Sequence, residues 1–128
     1  MSEFRILRRG ATAIAMCTAS LLALSACAAD QGAYCDAVKA SDVAPTLYAP
    51  IMFEKNTTPA SWAEPRLEVL LDAGPPNDEL ADEHELWVTY VTAVTEYTEF
   101  DHSIFELDTD ETEAARDLLF NNYTDVCL

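Results

Sequence analysis

From Leu80 to Phe100 the chain runs without a glycine or a proline, and that stretch does most to decide the fold class. Leu80, His84, Trp87, Val91 and Val94 fall on one helical face, and Leu86, Tyr90, Ala93, Tyr97 and Phe100 on an adjoining one. By propensity alone, Trp87 to Thr95 reads as a strand, because it is rich in β-branched and aromatic residues. Length decides for a helix, since the two faces persist far beyond the roughly 5 to 6 residues of a common strand. A helix with two apolar faces has neighbours on both. The segment therefore predicts the central element of an all-α domain.

The rest of the pattern supplies those neighbours. Ala33, Tyr34, Ala37 and Val38 recur at helical spacing, which predicts a helix over Gln31 to Ala40 with Asp30 as its N-cap. Ala44 to Pro59 carries three prolines and the turn-forming Asn56-Thr57-Thr58 around Leu47, Tyr48, Ile51, Met52 and Phe53, so it is a connector that must still pack. Glu64-Pro65 marks a helix start, with Leu67, Leu70 and Leu71 as its stripe and Gly74 as its stop. Asn77 caps the long helix, and Asp101-His102-Ser103 kinks or ends it, leaving Ile104, Phe105 and Leu107 as a further apolar patch. Asp108 or Thr109 caps the last helix, whose stripe is Ala114, Ala115, Leu118, Leu119, Tyr123 and Val126. The expectation is a small bundle of about four helices.

The N-terminus has a different character. Arg5, Arg8 and Arg9 precede an apolar stretch from Ala11 to Leu24, shorter than the roughly 20 residues a membrane-spanning helix needs. That layout favours a secretory signal. Gly10-Ala11-Thr12 lacks the bulky apolar residue and the lysine of a twin-arginine signal, so ordinary secretion is expected. The stretch closes on Leu24-Ser25-Ala26-Cys27, which resembles the lipobox of bacterial lipoproteins. The resemblance implies that residues 1–26 are cleaved as a signal peptide and that Cys27 is lipidated on its sulfur. It leaves a tether over residues 27–32 and an acidic helical domain over 33–128. The 102 residues left once the first 26 of 128 are removed suffice for one domain.

Cysteine counting then bears on the same reading. Of four cysteines, cleavage removes Cys17 and lipidation consumes Cys27, which leaves Cys35 and Cys127 as a matched pair. In an exported chain such a pair predicts a disulfide that closes the bundle. A zinc or redox pair would need a C-x-x-C spacing or nearby histidines, and neither cysteine has them.

Charge narrows the partners. Without the leader, Lys39, Lys55, Arg66 and Arg116 face 22 acidic residues, so the net charge moves from −16 to −18. Such a surface repels nucleic acid and anionic lipid headgroups. Nucleic acid is therefore not an expected partner, and membrane attachment would come from acyl chains on Cys27, at roughly 0.8 kcal/mol per buried methylene.

Catalytic and metal chemistry is sparse. Glu99 and His102 match one Glu-x-x-His copy of the ferritin-like di-metal pattern. The second copy fails, because Ala81 stands three residues before His84. On one unbroken helix the two histidines would lie roughly 27 Å apart. Asp108-Thr109-Asp110-Glu111-Thr112 begins like a calcium loop, but Glu113 replaces the required glycine and Leu119 the final glutamate, so it reads as an acidic helix start. No nucleophile elbow is present. Trp62, Trp87, Tyr48, Tyr90 and Tyr97 could line a ligand pocket, but at helical spacing they read as core. No catalytic residue, metal site or cofactor is expected, and the chain does not read as an enzyme.

The layout as a whole is similar to small secreted lipoproteins of actinobacteria, with Tyr34-Cys35-Asp36 near the mature start and Cys127 near the end. That resemblance implies export and anchoring at the extracytoplasmic face of the cell membrane, and it implies no activity. The expected function is an interaction or accessory module of the cell envelope with a protein partner there. The alternative is a binding module for a small ligand or cation.

Overall fold

Side-chain caps set the starts of two of the helices, at Thr58 and Thr109. The computed structural model describes residues 31–52 and 56–128, so Asp30, Phe53 and the whole leader with Cys17 and Cys27 lie outside the described residues. These are all-helical, with no strand among them, and 31–128 form one compact unit. Residues 31–39 are helical (α1). α2 spans Pro59–Ala73, α3 Ala81–Val94 and α4 Asp110–Cys127, with short 3-10 turns at Ala44–Thr46, Asp78–Leu80 and His102–Glu106.

α2 starts earlier than Glu64-Pro65 suggests. Thr58 and Ser61 form a reciprocal capping box, each side chain accepting the other's backbone N–H at 3.0 and 3.1 Å, and Pro59 rather than Pro65 takes the first helical position. Pro65 lies inside the helix and is exposed. It removes the bond to the carbonyl of Ser61, which is exposed and can turn to water. Gly74 ends the helix at φ 69°, a left-handed conformation that glycine adopts without cost. Asn56 sits at φ 72° in the turn before α2, a value asparagine tolerates better than most residues.

α3 is shorter than the sequence pattern, ending at Val94 rather than reaching Phe100. Asn77 Oδ1 accepts the Leu80 N–H at 2.9 Å and opens the 3-10 turn Asp78–Leu80, which runs directly into α3; α3 itself has no side-chain cap. At the other end Thr92 and Thr95 turn their hydroxyls onto the carbonyls of Val88 and Thr92. Such back-bonding by β-branched residues weakens a helix where nothing packs over it. The chain leaves the helix there, and the Tyr97 carbonyl accepts the Ala60 N–H at 2.9 Å, pinning the start of α2 to the end of α3. Asp101 then accepts the Ser103 N–H at 2.8 Å and opens the next turn; bonds from Ser103 hold its carboxyl below the usual range.

α3 remains central, packing against both α2 and α4. Trp87, Val91 and Val94 are wholly buried, and each such side chain contributes about 1.5–3 kcal/mol relative to exposure. The Trp87 indole N–H donates to the Leu47 carbonyl at 3.1 Å, so the connector's backbone helps close the core. The second face is covered less than expected, for Leu86 and Phe100 are exposed.

On α4 the buried line is Thr112, Ala115, Leu119, Tyr123 and Cys127, a single stripe at three- and four-residue spacing. Ala114, Leu118 and Val126, expected inside, are exposed. On α2, Leu70 is buried while Leu71 is exposed. In each case the neighbouring apolar residue falls outside a stripe that one partner helix covers.

This register is testable in paired substitutions. Leu119→Ala should lower the unfolding free energy by about 2–5 kcal/mol. Leu118→Ala should change it by no more than about 0.5 kcal/mol. Urea denaturation of the two variants decides, and a larger loss at Leu118 would contradict the packing.

Candidate functional site

Cys35 sits on α1 and Cys127 on the last turn of α4, and the fold brings their Cα atoms to 5.2 Å with the sulfurs at bonding distance across a sequence separation of 92. That spacing suits a disulfide. Around it, the Tyr34 and Tyr48 hydroxyls hydrogen-bond to each other in the core, and Tyr123 lies close to both. Burial pushes the Tyr34 phenol up to about 12, and Tyr48 higher still for the same reason. These phenols stay protonated and serve as a neutral polar lock beside the bridge.

The opposite end of α4 carries a different surface. At roughly 1.5 Å per residue, the helix separates Asp110 from Cys127 by about 26 Å. Beyond Asp110 lies the segment 95–109, in which Phe100 and Phe105 meet edge to face at 5.9 Å with His102 5.4 Å from Phe100. Both phenylalanines are more than half exposed. A cluster of aromatic rings at a loop tip is the kind of surface that contacts another molecule.

The metal readings find no support in this arrangement. The break after Val94 puts His84 on α3 and His102 in the 3-10 turn. Among the described residues, no group of three or more histidine, cysteine or acidic side chains is placed to hold a metal ion. Thr109, not Asp108, caps α4, its hydroxyl accepting the Thr112 N–H at 3.2 Å, so the calcium-like run is a helix start. No described helix is long and apolar enough to cross a membrane.

The five aromatic candidates do not converge on one pocket. Trp62, Trp87, Tyr48 and Tyr90 belong to the core, with Trp87 and Tyr90 stacked at 5.0 Å, while Tyr97 bonds Ser103 across the turn. Nothing in the spacing marks Asp108 as a buried group. Its Oδ1 is inaccessible and has no hydrogen-bond partner among the described residues, and it lines a cavity of about 90 Å³ with Tyr90, Ile104 and Phe105. Burial, then the charge of Asp108, raises the Tyr90 phenol to about 12.

His84 is buried, its Nδ1 has no partner among the described residues, and burial lowers its pKa below the usual 6.5. In the unfolded chain His84 takes up a proton near pH 6.5, whereas in the fold it resists protonation to lower pH. The unfolded state therefore binds more protons in that window, and stability falls as pH drops below about 6.5.

No family model, no curated protein and no solved structure matches this chain.

Urea midpoints measured between pH 8 and pH 5 should decline below about 6.5 in the parent chain. The decline over that interval should be shallower in His84→Leu. Parallel profiles would show that His84 is not responsible.

Proposed function

We propose that this chain is a non-enzymatic lipoprotein, anchored through acyl chains on Cys27 at the extracytoplasmic face of a cell membrane, that serves as an interaction or accessory module of the envelope. The observation that carries the reading is the pairing of Cys35 with Cys127. A disulfide suits an oxidising compartment, and it accounts for the two cysteines left over once the lipobox has assigned Cys17 to the leader and Cys27 to the anchor.

The geometry suits anchoring. From Cys27 to Cys35 the chain can reach at most roughly 28 Å, which would keep Cys35 within that distance of the bilayer. The aromatic cluster of Phe100, His102 and Phe105 lies toward the other end of α4. With a net charge of −16 on the whole chain, the surface offers no attraction to anionic headgroups. The acyl chains would supply the attachment.

A second reading, a module for a small cation, draws on one observation: the buried Asp108 oxygen without a partner beside its cavity. Calorimetric titration with sodium, potassium and calcium chlorides separates the two, since cation binding there is lost in Asp108→Asn.

Metabolic labelling with an alkyne fatty acid should tag the parent chain and leave Cys27→Ala unlabelled and released from the membrane fraction. Label retained in the variant contradicts the anchor.

A further inference from the structure

Apart from the sites above, the described residues form a groove of about 500 Å³ between the end of α1 and the middle of α2. Its apolar lining comes from Ala37, Ala40 and Val43 on one side and Pro65 and Val69 on the other. Its rim is anionic: Asp42 stands on the α1 side, and Glu68 and Asp72 stand one turn apart on α2.

Among the described residues nothing neutralises that rim. Three cations fall among them. Arg66 is tied to the Thr46 and Trp62 carbonyls at 3.2 and 2.6 Å, with its guanidinium 4.5 Å over the Trp62 ring. Arg116 lies 3.7 Å from Asp117, the single ion pair among the described residues. Lys39 is not among the groove's lining residues. The three rim carboxylates are exposed and form no ion pair among the described residues.

Apolar lining residues flanked by carboxylates that form no ion pair are complementary to one kind of occupant, an amphipathic segment that lays small apolar side chains against that lining and lysine or arginine heads on the carboxylates. We infer that the α1–α2 groove docks a cationic amphipathic helix of a partner protein. The inference rests on the interaction-module reading and gives its partner a chemistry; it does not depend on the lipid anchor. A second copy of this chain is a poor occupant, because its own charge is repelled.

The test is fluorescence anisotropy on the full-length chain in detergent, with a labelled amphipathic helical peptide of lysine, leucine and alanine as the probe. Removing the rim charges together, with Asp42→Asn, Glu68→Gln and Asp72→Asn, should weaken binding about tenfold or more and flatten its salt dependence. Removing three charges at the other end, with Glu96→Gln, Glu99→Gln and Glu106→Gln, should leave affinity within about twofold. Ala40→Lys, at an exposed position lining the groove, should lose binding as the rim variant does.

Equal losses in both triple variants would overturn the inference in favour of diffuse charge attraction. So would undiminished binding to Ala40→Lys, equal binding of a peptide without leucine, or calcium binding at the rim with no peptide bound. The same assay on Cys27→Ala should give unchanged affinity, and the fatty acid label reads the anchor separately, so the two ideas fail independently.

Discussion

The bond between Cys35 and Cys127 is the constraint on which the arrangement most depends. α3 lies between α2 and α4 and supplies the wholly buried Trp87, Val91 and Val94. α1 is brought to that core from the other end of the chain, through Tyr34, Cys35 and Val38. In the chain-entropy picture, closing a loop with a sequence separation of 92 contributes about 4.6 kcal/mol. That is a large part of the roughly 5–15 kcal/mol that holds a domain together. It acts in a chain whose −16 charge opposes compaction.

The same charge explains where polar groups were placed. Arg66 is committed to the connector, holding the Thr46 turn against α2. The buried hydroxyls of Tyr34 and Tyr48 satisfy each other rather than an ion. Acidic side chains dominate the surface, which is interrupted by exposed apolar side chains such as Phe100, Phe105, Phe120 and Leu128.

What the sequence made legible was the periodic, buried part. The all-α class and the Gly74 stop could be read from spacing and turn chemistry, Thr109 is one of two cap candidates beside Asp108, and the Cys35–Cys127 pair follows from counting cysteines. Boundaries set by competing side chains could not. Pro65 reads as a helix start because proline suits a first turn, yet the Thr58–Ser61 box opens the helix a turn and a half earlier. Phe100 reads as helical because its spacing continues that of Tyr97, yet Thr92 and Thr95 end the helix before either. Leu118 and Leu119 are equivalent in composition, and only the position of α3 decides which is buried. The groove and the Asp108 cavity were hidden for the same reason, being products of how helices meet.

The most direct measurement on the whole is the intact mass of the chain extracted from membranes, recorded before and after reduction. The expected species begins at Cys27, carries the mass of its acyl groups, and gains two hydrogens when the Cys35–Cys127 bridge opens. A chain that retains residues 1–26 without acyl mass, or one whose mass does not change on reduction, would contradict it.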